Sequence, residues 1–296
     1  MDDTEWLAER FEEQRPHLQA VAYRMLGSLP EANDAVQDAW ERVSRAGADD
    51  VNNLRAWLTT IVARVCLNML RSRNRRREES LDVYVPDPII SREGDHDPEK
   101  EALLADSVGL ALQIVLDTLA PAERLAFVLH DMFELPFEEI APMVDRTPEA
   151  TRQLASRARR RIQGAEVSAP ERDVARQRLV VDAFFTAARA GEFDALVSLL
   201  HPDVVLRADF SPSRPKRSTI VRGAEAVAAQ AKLGANPAAE LHPALINGAA
   251  GVVITIRGRP YAVMAFTVAE GKIVEIDVIS DATRVRRVAA SVLSNL

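Results

Sequence analysis

The chain has 296 residues, enough for two or three small domains, and its 47% hydrophobic content is ample for packed cores, which excludes global disorder. Its formal net charge is -7, so any cationic cluster is a local concentration against an acidic background. The lone cysteine, Cys66, excludes an intrachain disulfide and any thiol or zinc cluster, and no metal or cofactor site is expected.

The N-terminal stretch, Met1 to Glu13, is acidic and has no apolar core, unlike a secretory signal. No run of about 18 apolar residues could span a bilayer. The expectation is a soluble, cytoplasmic protein with no membrane partner.

Residues 5–80 read as a helical domain. Ala32, Ala35, Val36, Ala39 and Val43 recur at helical spacing, with Glu31, Asp34, Asp38 and Glu41 opposite. Leu54, Trp57, Leu58, Ile61, Val62, Val65 and Met69 repeat the pattern more strongly. The polar side of that second helix carries Thr60, Arg64, Asn68 and Arg71, whose spacings of four, four and three place them on one face. Arginines continue at 73, 75, 76 and 77, with no acid until Glu78.

Residues 81–102 break the pattern. Pro86, Pro88 and Pro98 forbid regular helix, and seven acidic residues make the stretch strongly anionic. Composition alone predicts a solvated tether.

A second helical domain is expected over 103–165. Within it, Leu135 to Ile162 has helix-turn-helix proportions: a short helix from Phe137 to Val144, a tight turn at Asp145–Arg146, and a second helix opened by Thr147 as N-cap and Pro148. Thr151, Leu154, Ala155, Ala158 and Ile162 form its buried stripe; Arg152, Gln153, Ser156, Arg157 and Arg160 form the exposed one. A positive helix carrying a Gln and a Ser able to bond base edges suits a major groove. Two arginine faces in an acidic chain read as a nucleic-acid binder, against the bland alternative of two solvated helix faces.

Residues 170–296 predict a separate α+β domain: helices over Arg172–Ala190 and Phe193–Leu200, then strands over Val252–Arg257, Tyr261–Val268 and Lys272–Ile279, with a hairpin turn at Ala269–Gly271. In the last strand Val274, Ile276 and Val278 alternate with Ile273, Glu275 and Asp277, predicting one buried face and one more polar.

The strings Asp34 to Trp40, Arg55 to Val62 and Cys66 to Ser72 resemble region two of the extracytoplasmic-function bacterial sigma factors. Leu125 to Asp131 and the Arg152–Arg160 helix resemble their region four. Ala190 to Leu196, continued by Leu199 to Val204, resembles a SnoaL-like domain, a cone-shaped fold with an antiparallel sheet. Their order matches the subgroup of such sigma factors with a C-terminal SnoaL-like extension.

The resemblance implies two all-α domains that bind DNA and polymerase, followed by the α+β domain, with bacterial RNA polymerase core and promoter DNA as partners. It implies that Asp34, Gln37, Asp38 and Trp40 dock on the polymerase clamp. Thr60, Arg64, Asn68 and Arg71 would bind the melted minus-ten element, and Arg152, Gln153, Ser156, Arg157 and Arg160 the minus-thirty-five duplex. The subgroup's Trp-Leu-Pro-Glu-Pro linker string appears here as Tyr84-Val85-Pro86-Asp87-Pro88, and Tyr84, Pro86, Asp87 and Pro88 are the expected regulatory contact of the extension. Its Asp-Gly-Gly-Gly-Lys loop is replaced by Asp209 to Lys216, and its Asn-Pro-Asp-Lys-Leu string by Asp281 to Val285.

SnoaL-like folds also build isomerases and hydratases, so His201, Asp203, Asp209, His242, Tyr261 and Asp277 are candidate acid–base groups. Fold analogy is weak evidence for activity. The expectation is no catalytic residue and a regulatory domain that binds region two, the linker or a small molecule. The competing readings are a stand-alone DNA-binding regulator and a SnoaL-type isomerase or hydratase with a fused DNA-binding portion.

Overall fold

The computed structural model describes residues 3–46, 51, 53–77, 85–94, 110–164, 171–210 and 219–293. Two compact units emerge, and the chain passes between them more than once: of the described residues, 85–94 and the first two of the 110–117 helix belong with the C-terminal unit, although residues 3–77 and 112–164 belong with the first.

The first unit begins with three helices, α1 (Asp3–Leu26), α2 (Leu29–Ala46) and α3 (Leu54–Arg77). Gly27 ends α1 in the left-handed conformation, at φ 72°, where a Cβ would be strained. Asn53 starts α3 by accepting the Ala56 N–H on its Oδ1 at 3.1 Å. The predicted stripe of α2 (Ala32, Ala35, Val36, Ala39, Val43) is fully buried where α2 packs on α1, and Phe11, Leu18, Val21 and Met25 of α1 are fully buried as well. Helix α3 is buried over a wider arc than its strongest apolar residues suggest. Trp57, Ile61 and Met69 are only half-buried, whereas Ala63, Cys66, Leu67 and Leu70 are fully covered. The reason is that α3 packs on α1 and α2 and also on a helix of the following domain.

That domain comprises α4 (Leu110–Asp117), α5 (Pro121–Phe127), a single π turn (Val128–Met132), α6 (Phe137–Ile140), a 3-10 turn (Ala141–Met143) and α7 (Pro148–Gly164). The predicted helix from Phe137 to Val144 is therefore shorter as an α-helix. Pro142 has no N–H to give, and the chain tightens to 3-10 geometry where it lies. Asp145 takes the turn at φ 55°, a conformation aspartate tolerates. Thr147 caps α7, its Oγ1 accepting from Ala150 N at 3.3 Å and its carbonyl from Thr151 N at 2.9 Å.

Arg124 of α5 fastens the two helical domains together. It is 1% exposed, donates from Nε and Nη2 to the Arg24 carbonyl at 3.2 and 3.0 Å, and pairs through Nη1 with Asp117 Oδ1 at 2.6 Å. Arg73 adds a second tie within the bundle, to the Leu26 carbonyl at 3.0 Å and to Glu31.

The second unit is built on a seven-stranded sheet in the order β1-β4-β5-β6-β7-β2-β3. In chain order its elements are β1 (Ile90–Ser91), α8 (Val174–Ala190), α9 (Phe193–Leu199), β2 (Leu200–Asp209), β3 (Thr219–Arg222), α10 (Ala224–Gly234), β4 (Ala239–Ile246), β5 (Ala249–Ile256), β6 (Arg259–Ala269), β7 (Lys272–Ile279), α11 (Ala282–Val288) and α12 (Ala290–Leu293). All neighbouring strands are antiparallel except β2 and β7.

Three of the hairpins close with two residues at positive φ, namely Asn247–Gly248, Arg257–Gly258 and Glu270–Gly271, the mirror-image turns whose twist matches a sheet. Phe184, Leu196, Val204, Leu206, Ile254, Phe266 and Ile276 belong to the core that α8, α9 and the sheet enclose. Gly251 sits where β5 passes between β4 and β6; a Cβ there would lie 2.3 Å from Ile246 Cδ1 and 2.8 Å from the Met264 carbonyl. The more polar face expected for β7 is not solvated: Asp277 is 3% exposed.

Candidate nucleic-acid and polymerase interface

On α2, Asp34, Gln37 and Asp38 are exposed together while the opposite side of the helix is buried. Trp40 differs from them. It is half-buried, with its ring 5.0 Å from that of Phe11, so at least part of its role is to close α2 onto α1.

On α3, Arg64, Asn68 and Arg71 are exposed along one line, and Thr60, half-buried at its upper end, turns its hydroxyl to the Ala56 carbonyl at 2.9 Å. The structure brings all four to the same face. Arg64 Nη2 lies 3.5 Å from the Pro142 carbonyl in the helix-turn-helix, at the outer limit of a hydrogen bond. Near this junction His17 of α1 is held between Arg55, which donates to its Nδ1 at 3.0 Å, and Thr59 Oγ1 at 3.1 Å from Nε2; Phe133 meets its ring edge-on. Burial, with the charges of Arg55 and Arg24, lowers the His17 pKa to about 4, so the ring is neutral at pH 7.

On α7, Arg152, Gln153, Arg157 and Arg160 are exposed and Ser156 is half-buried beside them. Arg152 lies over the Phe137 ring at 5.3 Å, a cation–π contact that orients it at the start of the helix. The remaining arginines are not equivalent. Arg159 is paired in two places with Asp131, at 2.6 and 3.1 Å, and Arg161 reaches Glu123 at 2.9 Å. Arg157 approaches the same Glu123 at 3.9 Å. Among the described arginines of the two runs, then, Arg73, Arg159 and Arg161 are tied to acids of their own unit at hydrogen-bond distance, and Arg157 more loosely.

The linker departs most from the sequence expectation. Residues 85–91 are buried in the second unit, and β1 extends the sheet by pairing with β4, Ile90 opposite Ile246 and Ser91 opposite Leu245. The solvated tether is corrected accordingly. The apolar Val85, Ile89 and Ile90 supply the burial that an average over an acidic segment conceals.

Polar contacts hold this strap on both sides. Val85 N donates to Asp209 Oδ2 at 3.2 Å, and Ile89 and Asn247 exchange two hydrogen bonds at 2.7 and 2.8 Å. Arg284 of α11 donates to Asp87 Oδ1, to the Val85 carbonyl and to Asp209 Oδ2, the last at 2.5 Å. Arg287 pairs with the other Asp87 oxygen at 2.6 Å. Pro86, Asp87 and Pro88 are thus buried strap residues, and Tyr84 lies outside the described residues. The Asp281–Val285 segment that replaces the subgroup's string supplies the clamp, since the Asp281 carboxylate caps α11 by accepting from Arg284 N at 2.8 Å.

The candidate acid–base groups do not converge. His201 and Asp203 are exposed, His242 bonds Thr255 Oγ1 at 2.9 Å, and Asp209 belongs to the strap clamp. Asp277 pairs with Arg207 at 2.9 Å, and Glu275 takes the other arm of the same guanidinium at 2.6 Å. Burial, aided by Glu275 and opposed by Arg207, pushes the Asp277 carboxyl up to about 7. Of the six candidates only Tyr261 is among the described residues lining a cavity of about 400 Å³ in this unit, and that described lining includes no carboxylate and no imidazole.

Among the described residues no helix is long and apolar enough to cross a membrane, and no cluster of His, Cys, Asp and Glu could hold a metal ion.

Comparison with known proteins agrees with this layout. The Sigma-70 region 2 family matches residues 10–76 and the Sigma-70 region 4 family residues 110–162. The chain is 40% identical over 219 residues to the ECF RNA polymerase sigma factor SigJ of Mycobacterium tuberculosis, covering 73% of this chain and 69% of the relative. It is 34% identical over 266 residues to the probable ECF RNA polymerase sigma factor SigI of the same species, covering 90% of each. The crystal structure of M. tuberculosis SigJ matches with a TM-score of 0.74 at 33% identity, over 94% of this chain and 97% of that one. Two sigma-type helical domains in order, their exposed faces, and a likeness that continues through the C-terminal unit lead to one conclusion: the chain belongs to the extracytoplasmic-function RNA polymerase sigma factors.

Proposed function

We propose that the exposed face of α2 (Asp34, Gln37, Asp38) docks on bacterial RNA polymerase core, with Trp40 behind it. In the same reading the α3 face of Thr60, Arg64, Asn68 and Arg71 binds the melted minus-ten strand, and α7 reads the minus-thirty-five duplex. Within α7, Arg152 and Gln153 face base edges and Arg157 and Arg160 hold phosphates. The observation that carries the assignment is the segregation of charge in the first unit: an acidic exposed face on α2 and cationic exposed faces on α3 and α7. An acidic face suits a basic protein surface and repels DNA; the cationic faces do the reverse.

The same unit must open to work. Elements centred at minus ten and minus thirty-five lie about 25 base pairs apart, or about 80 Å of duplex at about 34 Å per turn. Arg64, on the minus-ten face, touches the helix-turn-helix at Pro142. The two faces cannot reach both elements from that arrangement, so the Arg124–Arg24 and Arg64–Pro142 contacts are those that polymerase and promoter replace.

The C-terminal unit acts as a non-catalytic regulator that holds the strap between the two helical domains, and the protein works in the cytoplasm, where polymerase is. The test is reconstituted transcription with core polymerase and a promoter pool, comparing the full chain with Arg284→Ala. Promoter-specific, core-dependent initiation that changes in level or promoter choice when the clamp is cut is expected. Initiation by neither protein overturns the sigma assignment for these faces, and identical initiation by both overturns the regulatory role of the strap.

A further inference from the structure

Arg152 is held differently from its neighbours on α7. Arg159 commits Nε and Nη2 to Asp131, and Arg161 commits Nη1 to Glu123. Among the described residues no acid and no carbonyl accepts from Arg152, whose guanidinium carbon instead lies 5.3 Å from the centre of the Phe137 ring and over it. The difference is chemical. The N–H donors of a guanidinium lie in its plane, whereas an aromatic ring attracts the cation without consuming any of them. An arginine held by a ring is therefore oriented with its donors still available.

The ring is itself supported. Phe137 is 6% exposed, and His130 stacks on it at 3.8 Å with 28° between the planes. His130 belongs to the π turn, and its Nδ1–H donates to the Leu135 carbonyl at 2.9 Å. Leu135 N in turn donates to the Leu129 carbonyl at 2.9 Å, so the loop that carries His130 is closed twice at one residue. The adjacent Asp131 grips Arg159, about two turns beyond Arg152 on α7. Neighbouring residues of the π turn thus support both the Phe137–Arg152 contact and the middle of the helix that carries it.

Orientation matters because an arginine side chain is long. Left free, it samples many rotamers and reaches phosphates as readily as bases, and a phosphate contact carries no sequence information. A guanidinium fixed at the start of a helix that enters the major groove points its fork at a base edge. The edge there that accepts two parallel N–H bonds is that of guanine, at O6 and N7.

We propose that Phe137, backed by His130, is a positioning residue that makes Arg152 the reader of a guanine in the minus-thirty-five element. This role rests on α7 entering that duplex, and adds to it the base recognised and the side chain that fixes the choice.

The test is selection from a pool of randomised duplexes by holoenzyme, formed from the full chain and bacterial core polymerase, with the base frequencies of the retained sequences as readout. The parent protein should enrich a guanine at one upstream position, and Arg152→Ala should reduce that preference about 5- to 150-fold while sparing the other positions. Phe137→Leu keeps the apolar bulk without the ring face, and should weaken the preference about 2- to 5-fold at the same position only. Phe137→Tyr, which keeps the face, should retain it, and Phe137→Leu combined with Arg152→Ala should select as Arg152→Ala alone does. His130→Ala should act in the same direction as Phe137→Leu, and serves in its place where that variant does not fold. A merely structural part for Phe137 would lower preference at every position alike, and that result overturns the proposal. So does an unchanged guanine preference in folded Phe137→Leu, or a base other than guanine at the position that Arg152→Ala relaxes. With enrichment by the parent intact, those results leave the sigma reading standing. Failure of the parent to enrich any sequence overturns the sigma reading and this role together.

Discussion

Paired arginines serve the two units in different ways. In the helical unit Arg124 pairs with the Asp117 carboxylate and the Arg24 carbonyl, so its charge is compensated where it joins the two domains. In the sheet unit Arg207 faces two carboxylates, Glu275 and Asp277, whereas Arg284 and Arg287 share Asp87 and Asp209. On the α7 surface Arg152 and Arg160 pair with no acid among the described residues, beside the committed Arg159 and Arg161. The number of arginines in a run therefore says little about their tasks; the acids that the fold places opposite each one decide whether it is tied down or left exposed.

Removing the balanced tie should have the largest effect. Arg124→Ala leaves Asp117 buried without its main partner and should cost about 3–5 kcal/mol in denaturant unfolding of the helical unit. A loss below about 1 kcal/mol would show that Arg124 is not what joins the domains. Arg284→Ala should cost less, about 2 kcal/mol, because Arg287 still meets Asp87 and the clamp is partly solvated. Hydrogen exchange should locate that loss at Val85 and Ile89.

The arginines proposed to read DNA should show nothing in unfolding and much in binding. Arg152→Ala should weaken minus-thirty-five binding by about 1–3 kcal/mol and relax its sequence preference. Equal binding of promoter and scrambled duplex before and after the change would remove that role. Gln37→Ala, by the same logic, should lower affinity for core polymerase without altering the unfolding midpoint.

The unbalanced Arg207 cluster predicts a pH trend. Asp277 holds its proton up to about 7 when folded and releases it near 3.8 when unfolded. The folded state therefore binds the extra proton between those values, and the cluster's contribution to stability falls as pH rises through that window, levelling above it. Asp277→Asn should flatten the slope relative to the parent protein, and an unchanged slope would place the proton elsewhere. Smallest of all, Arg159→Ala should shift stability by under about 1 kcal/mol, since its pair with Asp131 is partly exposed.

Much of this was legible before any coordinates. The stripe of α2, the Thr147–Pro148 start of α7, the Asp145 turn and the β7 hairpin all follow from local rules that depend on spacing and turn chemistry. The strand reading passed over β4, although the Asn247–Gly248 pair, suited to positive φ, is a signal that would have located it. The faces of α3 and α7 were visible because exposure on a helix repeats with its turn.

What local rules could not supply are meetings across long sequence separations. Asp87 finds Arg284 nearly two hundred residues later, and an acidic, proline-containing stretch becomes a buried strand because β4 offers an open edge and α11 two arginines. Asp277 reads as the polar side of a strand until Arg207 of β2 is seen to cover it. The sequence by itself determined the helices, the turns and which helix faces carry charge, since those depend on residues within a turn or two of one another. Only the tertiary structure decided which arginines are tied to acids and which stay exposed, and that the linker is a strap, because each depends on which distant group the fold sets opposite it.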